Sequence, residues 1–324
     1  MTAVTDAQLR GQLLDRRRRL QAATATAADH GLHDLLAQVD RALRGLEDGT
    51  YGLCDVCGDP VEPERLTADP LARLCIDHLT PDQRRDLERD LETAARIQAA
   101  LLPGRELAVA GWDLGYRYRP AGLVSGDYVD LVPAAGGGVW FAFGDVSGKG
   151  ISASILMAHL QVILRGLAAA GAPLAELLAA ANRIFCESTL ASHYATAVIG
   201  RLDPGGAVEL GNAGHWSPLL RAGGRVRALP ATGLPLGMFC DARYGVERFE
   251  LAPGDALVLY TDGLSESRNG DGEEYGSERL ASLLEHADGT AAADLVEACL
   301  ADLAAFTGGG APGDDLAVMA LRRV

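Results

Sequence analysis

The spacing of apolar residues changes along the chain and separates a helical N-terminal region from a strand-rich remainder. In the first 50 residues, Leu9, Leu13 and Leu20 form one apolar stripe at helical spacing, and residues 35–46 contain a second. Apolar side chains that recur at this spacing lie on one face of a helix. The pattern therefore predicts an antiparallel helical hairpin, with its turn at Asp29-His30-Gly31.

A further helix signal follows a turn-rich stretch at residues 51–79. Thr80 and Gln83 match a capping box and Pro81 suits a first helical turn, so we predict a linker helix over 80–104. Its apolar residues recur at heptad-like intervals: Leu87, Leu91, Ala94 and Leu101. The pattern fits a two-stranded coiled coil, which would join two copies into a homodimer, and equally a helix packed on the next domain.

From residue 110 onward the chain reads as short alternating strands separated by glycine-rich turns. The predicted strands are 139–143, 194–201, 207–210, 246–251, 256–260 and 315–321, with a hairpin turn at 222–224. Helical stretches interrupt them at about 152–170, 173–188, 276–286 and 291–305. Because the helices come in separate pairs, we predict an α+β fold. The domains expected are 1–79, a linker at 80–104, and 105–324.

Charge and hydropathy limit the classes of function. The 324 residues carry 44 acidic and 29 basic side chains, a formal charge of −15. Binding of nucleic-acid phosphates needs an excess of Lys and Arg, so direct nucleic-acid binding is not expected. There is no run of about 18 apolar residues and no apolar signal-peptide core, so we expect a cytoplasmic protein without membrane contact.

One cluster of cysteines has the spacing of a zinc site. Cys54 and Cys57 form a C-x2-C pair, and Cys75 and His78 form a C-x2-H pair farther on. Two such pairs supply the four ligands of a tetrahedral structural zinc site, whereas a catalytic zinc keeps one position open. Three free thiols beside an ordinary histidine are the alternative, but the segment has few apolar residues to hold it folded without metal.

The other three cysteines stand singly in apolar surroundings: Cys186, Cys240 and Cys299. Disulfides are typical of secreted proteins, and this chain shows no secretory signal. We therefore predict three buried free thiols and no disulfide bond.

Residues 46–75 resemble the zinc-finger segment of the DksA/TraR proteins. The resemblance implies a helical hairpin joined to a four-ligand zinc finger, with His78 in place of the usual fourth cysteine. Longer members act on RNA polymerase through paired aspartates at the hairpin tip. The turn at Asp29-His30-Gly31 lacks that pair, so the resemblance supports the zinc fold more than polymerase binding.

Aspartates stand at strand boundaries in four glycine-containing motifs of the C-terminal region. The motifs are Ser125-Gly126-Asp127, Gly144-Asp145-Val146, Thr261-Asp262-Gly263 and Gly313-Asp314-Asp315. One Asp-Gly pair is usually a turn, but carboxylates at several strand ends can converge on one edge of a sheet. Clusters of oxygen ligands suit Mg²⁺ or Mn²⁺. Two such ions can activate water and hold a phosphoryl oxygen.

The order and wording of these motifs resemble the SpoIIE/RsbU-type branch of the metal-dependent PPM serine/threonine phosphatases over about residues 95–324. The motifs are ARIQAALLP (95–103), YRPAGLVSGDYVDL (118–131), FGDVSGKGISASILMA (143–158), NAGHWSPLL (212–220), LPLGM (234–238), LVLYTDGLSESRN (257–269) and DDLAV (314–318). The resemblance implies a four-layer α-β-β-α sandwich in which two antiparallel sheets carry a two-metal site, Mn²⁺ or Mg²⁺, at one edge.

The same resemblance implies a role for each ligand. Asp145 would bridge both ions, the main-chain carbonyl of Val146 would bind one, and Asp127 would support the ion on that side. Asp262 and Asp314 would hold the other. The chemistry would be direct attack of a metal-bound hydroxide on phosphoserine or phosphothreonine, without a covalent intermediate.

Several neighbouring residues leave alternatives open. Ser147 stands where eukaryotic relatives place a histidine as candidate general acid, so water or another group would protonate the leaving group. Lys149 would contact substrate phosphate or remain an exposed turn residue. His215 has a structural or a catalytic role, with the structural one favoured. Asp315 is the less favoured metal ligand, because the family ligand is usually the first aspartate of the pair.

We therefore expect a cytoplasmic, metal-dependent protein phosphatase with a zinc-binding N-terminal module. By analogy with the branch, its substrate would be a phosphorylated, STAS-type anti-sigma-factor antagonist in a partner-switching pathway. The alternative is a regulatory binding protein that targets RNA polymerase or another partner through the zinc module and uses its phosphatase-like domain as a switch.

Overall fold

The computed structural model describes residues 3–24, 30–104, 109–134, 137–189, 193–287, 291–309 and 313–324. The chain divides into two compact units, Met1–Asp90 and Leu91–Val324. The division lies within helix α4, Pro81–Leu101. Each unit has its own hydrophobic clusters.

The N-terminal unit contains a helical hairpin and a small turn-rich segment. Its helices are α1 (Ala3–Thr24), α2 (His30–Asp48) and α3 (Pro63–Ala68). The predicted apolar stripes meet, since buried Leu13 packs in one cluster with Val39 and Leu43. The ion pairs Arg10–Glu47 and Arg17–Asp40 run in antiparallel order along α1 and α2, while the predicted turn lies partly outside the described residues.

The predicted capping box begins α4. The main-chain N–H of Gln83 donates to Thr80 Oγ1 at 3.2 Å, and the N–H of Thr80 donates to Gln83 Oε1 at 3.0 Å. These reciprocal bonds satisfy two donors that an uncapped helix end would leave free. The start of the linker helix is therefore as predicted, and the helix ends at Leu101, just before Pro103.

The C-terminal unit is built on two five-stranded antiparallel sheets, as the α+β prediction and the resemblance implied. The strands are β1 (Trp112–Arg119), β2 (Asp127–Pro133), β3 (Val139–Val146), β4 (Ala195–Leu202), β5 (Ala207–Ala213), β6 (Leu219–Ala222), β7 (Arg225–Ala228), β8 (Glu247–Glu250), β9 (Ala256–Tyr260) and β10 (Leu316–Arg323). One sheet has the order β1-β10-β9-β6-β7, and the other has the order β2-β3-β4-β5-β8.

Helices cover the outer faces of the sheets. They are α5 (Gly150–Ala169), α6 (Leu174–Ser188), the short α7 (Asp262–Ser265), α8 (Ser277–His286) and α9 (Ala292–Thr307). A central core joins the two sheets, with Phe141 and Val198 from one and Leu259 and Met319 from the other. A second core lies between α5/α6 and the β2–β8 sheet, and a third between α8/α9 and the β1–β7 sheet.

Helix α5 is the one helix among the described residues that is long and apolar enough to cross a membrane by composition alone. One face of it packs on the core: Met157, Leu160 and Leu164 are buried in the cluster that α5 and α6 form against the β2–β8 sheet. In all, 28% of its apolar window is buried, and Ile155 and Val162 on the helix are 62% and 71% exposed.

The prediction of three free buried thiols is wrong for two of the cysteines. Cys186, near the end of α6, is bonded to Cys240 in the loop before β8, with a Cα–Cα distance of 5.5 Å. Cys186 is half-buried and Cys240 is exposed. Sequence spacing did not reveal this pair because 54 residues separate its members. Cys299 is free and buried, as predicted.

Candidate metal centres and active site

The four predicted carboxylates lie at strand ends, where the sequence placed them. Asp127 begins β2 and is the direct register partner of Asp145, near the end of β3. Asp262 follows β9 and begins α7, and Asp314 precedes β10. Because β9 and β10 are adjacent in one sheet while β2 and β3 are adjacent in the other, two aspartates come from each sheet.

Two cavities are lined by three of these four carboxylates, while Asp127 lies outside both linings. A cavity of about 380 Å³ has Asp145 and Asp262 in its lining, so residues from both sheets face one space. A second cavity, of about 470 Å³, contains Asp262 and Asp314 in its lining, together with Arg119 at the end of β1. Asp262 is common to both cavities. We call the edge that carries these carboxylates the acidic rim.

Asp127 is the most deeply placed member of the acidic rim, with 1% of its surface exposed. Its Oδ2 accepts a hydrogen bond from Thr261 Oγ1 at 3.0 Å. Its Oδ1 is buried without a hydrogen-bond partner. A buried carboxylate oxygen that lacks a partner costs free energy, and a bound cation removes that cost.

The electrostatics of the rim also favour added positive charge. Burial, followed by repulsion from Asp262 and Asp315, raises the pKa of Asp145 to about 7. Burial and the charge of Asp145 raise the pKa of Asp127 well above its usual value. The pKa of Asp262 is raised by burial and by Asp314. Each shift reflects carboxylates that disfavour one another's ionised form until a counter-ion is present.

Asp315 has a different environment from Asp314. Its Oδ1 accepts the main-chain N–H of Ala121 at 2.7 Å, and its Oδ2 accepts that of Gly126 at 3.0 Å. Both carboxylate oxygens therefore hold the loop that leads to Asp127. Gly126 itself has no room for a side chain, because an added Cβ would lie 2.8 Å from Val146 O and 2.9 Å from Asp145 Oδ1.

The sequence left two alternative roles open for Lys149 and for His215. Lys149 contacts the acidic rim, whereas His215 is hydrogen-bonded to groups other than the rim carboxylates. Lys149 Nζ lies 2.7 Å from Asp314 Oδ2 in a largely exposed ion pair. His215 is buried, with Nδ1 2.9 Å from Thr196 Oγ1 and Nε2 3.1 Å from the carbonyl of Tyr260. These contacts support a structural role for His215. Ser147 lines the first cavity.

The sequence did not reveal which residues position the acidic rim. Thr261 and Asp315 stand beside predicted ligands, and Asp315 was considered only as a less favoured ligand, so their place within two aspartate motifs was the available signal for a positioning role. Gln98 lies in the ARIQ motif, and its amide pairs with the main chain of Ser125, two residues before Asp127. Arg119 lies 8 residues before Asp127, yet the pairing of β1 with β10 brings it to the Asp314 cavity.

The predicted zinc ligands come together in the N-terminal unit. One ligand atom each from Cys54, Cys57, Cys75 and His78 lies within 4.8 Å of the other three. Cys75 Sγ is 3.1 Å from His78 Nδ1 and 3.8 Å from Cys57 Sγ. The surrounding core is small and includes Val61 and Leu66. Four thiolate and imidazole ligands at this spacing fit one tetrahedral zinc ion.

Comparison with known families matches both regions of the chain. The family model described as Stage II sporulation protein E (SpoIIE) matches residues 135–324. The chain belongs to the SpoIIE family. A second model, the prokaryotic dksA/traR C4-type zinc finger, matches residues 49–77, so the SpoIIE domain follows a zinc-finger module. His78 lies just beyond that match.

Individual relatives show the same SpoIIE architecture. Phosphoserine phosphatase RsbU of Bacillus subtilis is 28% identical over 58% of this chain and 57% of its own length. The SiaA-PP2C domain of Pseudomonas aeruginosa has a TM-score of 0.65 at 23% identity, covering 74% of this chain and 98% of that one. The RsbU and RsbW domains of Rv1364c from Mycobacterium tuberculosis have a TM-score of 0.59 at 31% identity, covering 66% and 62%.

The chain spans about half the length of the curated relatives that it matches over the SpoIIE domain. Two observations of this structure fit the divalent ions implied by that family. The buried Asp127 Oδ1 lacks a partner, and the donors at the rim are carboxylate oxygens, which hard ions prefer. Among the described residues, the zinc set is the group of three or more ligand atoms that lie close enough together to hold an ion.

Proposed function

We propose that this protein is a metal-dependent phosphoserine/phosphothreonine protein phosphatase. The observation that carries the proposal is the acidic rim: aspartates from both sheets of a SpoIIE-family fold face a shared cavity of about 380 Å³. RsbU, a phosphoserine phosphatase, aligns with this chain over 192 residues and supports the same class of reaction.

The residues of the rim have the chemistry to hold two Mn²⁺ or Mg²⁺ ions. We assign Asp145 to both ions, the carbonyl of Val146 and the Asp127 carboxylate to one side, and Asp262 and Asp314 to the other. When bound, such ions polarise the phosphoryl group and activate water for attack.

The chain's own residues orient this site. Thr261 fixes one oxygen of Asp127, and the other oxygen is buried without a hydrogen-bond partner, which leaves it available to an ion. Neutral His215 bridges Thr196 of one sheet and Tyr260 of the other, and it forms part of the cavity lining. Lys149 pairs with Asp314, so we propose that it is available to a substrate phosphate once the carboxylate has another counter-ion.

The physiological substrate that we propose is a phosphorylated protein of a partner-switching pathway, of the STAS-type anti-sigma-factor antagonist class, in the cytoplasm. Its support is the similarity to RsbU and to the RsbU and RsbW domains of Rv1364c.

We further propose that α4 joins two copies of the chain, because its residues Leu91 and Ala94 are only half-buried in one copy. A monomer in light scattering would contradict the dimer.

The central test is phosphate release from phosphoserine peptides with and without Mn²⁺. We expect turnover that needs the metal and is lost in Asp145→Asn and Asp262→Asn. Asp271→Asn, at an exposed turn, is the matched control and should retain activity. Turnover that survives both rim substitutions would overturn the proposal.

A further inference from the structure

Large apolar side chains are exposed in the lining of the 380 Å³ cavity and on the neighbouring loop at 234–239. They belong to Tyr194, Trp216, Leu234, Met238 and Phe239, which are between 39% and 55% exposed. We call this set the rim surface. We propose that it binds apolar residues that flank the phosphorylated residue of a protein substrate. This inference rests on the phosphatase function proposed above.

The rim surface and the cavity lining share residues. Tyr194 and Trp216 are part of the cavity lining, beside Asp145 and Asp262. Tyr194 is also joined to Ser147, whose Oγ accepts the N–H of Tyr194 at 3.0 Å and whose own N–H donates to the Tyr194 carbonyl at 2.9 Å. A phosphorylated side chain that enters the cavity therefore meets a lining that includes two aromatic groups.

The loop that carries the rest of the rim surface lies against the same walls. Leu236 exchanges two main-chain hydrogen bonds with Ala195, each 2.8 Å long, and Ala195 is the register partner of Val146. On the other side, an added Cβ on Gly214 would lie 2.6 Å from the Pro235 ring. Leu234 and Met238 flank these contacts along the chain, so exposed apolar residues lie on both sides of the segment that contacts the cavity walls.

The loop is held in one conformation by buried polar contacts. The amide nitrogen of Asn182 donates to the carbonyls of Phe239 and Cys240, at 2.8 and 3.1 Å, and its Oδ1 accepts the N–H of Gly237 at 2.8 Å. The Cys186–Cys240 disulfide adds a covalent link to α6. A surface that is already ordered loses less conformational entropy when a partner binds.

The chemistry of the surface selects an apolar protein segment as the occupant. Among the described residues that line the cavity, none is a lysine or an arginine, and residues 233–239 (GLPLGMF) carry no charge. Leu234 and Phe239 lie outside the lining of the cavity, so a small phosphate ester bound in the cavity would not cover them. An apolar stretch of polypeptide beside the phosphorylated residue covers both regions, and apolar burial then supplies the affinity.

The experiment compares two phosphoserine peptides with the full chain and Mn²⁺: one flanked by Leu and Ile, the other by Gly and Ser. We expect the apolar-flanked peptide to have a kcat/KM at least about 10-fold higher, mainly through KM. Phe239→Ser should reduce that ratio about 5-fold or more. The control is Val162→Ser on α5, a residue that is 71% exposed, and it should keep the wild-type ratio.

Equal turnover of the two peptides by the wild type, or an unchanged ratio in Phe239→Ser, would overturn the inference while leaving the phosphatase function intact. If neither peptide is hydrolysed, the proposed function fails. Fluorescence anisotropy of the labelled peptides then tests, independently of turnover, whether the rim surface binds them. Preferential binding of the apolar-flanked peptide that Phe239→Ser weakens would support it. A change in oligomeric state without a change in preference would assign the surface to a second copy of the chain.

Discussion

The side-chain amide of Gln98 pairs with the main chain of Ser125 as one peptide group pairs with another. Gln98 Nε2 donates to the Ser125 carbonyl at 2.7 Å, and its Oε1 accepts the Ser125 N–H at 3.0 Å. Both residues are buried. Since Asp127 follows two residues later, the last turns of α4 directly hold the loop that presents a proposed metal ligand.

Gln98→Ala should therefore destabilise the SpoIIE domain and lower turnover. The substitution leaves a buried N–H and a buried carbonyl without partners, which costs about 1–3 kcal/mol. Denaturant unfolding and phosphopeptide hydrolysis measure the two effects. Ile97→Ala is the matched control, because the neighbouring Ile97 is 61% exposed and should change stability by less than about 0.5 kcal/mol.

Thr261→Val should weaken metal binding. The hydroxyl of Thr261 donates to Asp127 Oδ2 and accepts the N–H of Ala317 at 2.9 Å, so its loss releases a carboxylate from its fixed orientation. Removing a group that orients a ligand commonly lowers metal affinity by about 10-fold or more. Titration calorimetry with Mn²⁺ tests this, and Thr261→Ser, which keeps the hydroxyl, should restore affinity. Equal affinity in Thr261→Val and wild type would contradict it.

His215 should make the domain less stable in mild acid. Burial lowers the pKa of His215 to about 4, below its ordinary 6.5. The folded state therefore keeps His215 neutral. The contribution of this residue to the free energy of unfolding is complete above pH 6.5 and is lost as the pH falls toward 4. The loss amounts to about 3 kcal/mol. The pH dependence of unfolding should be steeper in this window for wild type than for His215→Gln, and identical slopes would refute the assignment.

Reduction of the Cys186–Cys240 disulfide should destabilise the SpoIIE domain. The bond closes a loop of 54 residues, for which the loss of chain entropy on cross-linking predicts about 4 kcal/mol. Thermal unfolding with and without a phosphine reductant measures the effect. The Cys186→Ser/Cys240→Ser double variant should not respond to reductant, whereas Cys299→Ala, which keeps the bond, should respond like the wild type.

Loss of zinc should unfold residues 51–79 and leave the C-terminal unit folded. Among the described residues, the cluster at the zinc site has four buried members, and two of them, Cys54 and Cys75, are ligands, so metal ligation supplies much of the folding free energy of the segment. His78→Ala should lose zinc and hydrogen-exchange protection in this segment, while His78→Cys, which restores a four-cysteine set, should keep both. Hydrogen-exchange protection that persists without zinc would show that the small apolar core is enough to keep the segment folded.

Local elements were predictable because short-range patterns express them. The capping box at Thr80 and Gln83, and the hairpin turn at Gly223 and Gly224, appear in the structure where the sequence placed them. The strands that lead to Asp145 and Asp262 are equally clear, since each is an apolar run that ends in an Asp-Gly or Gly-Asp step. The residues of β1 and β2 contain no such apolar run, so the sequence does not predict these two strands individually.

The amino-acid sequence was sufficient for the ligand types, their order and the family, because these depend on residue identity and on spacing over a few positions. The packing of two sheets and their helices created the remaining relationships. It brought Thr261 to Asp127 across 134 residues, Gln98 to Ser125 across 27, and Cys186 to Cys240 across 54. Such pairs depend on how whole elements bury their apolar faces, and a local pattern carries no information about which distant elements will meet.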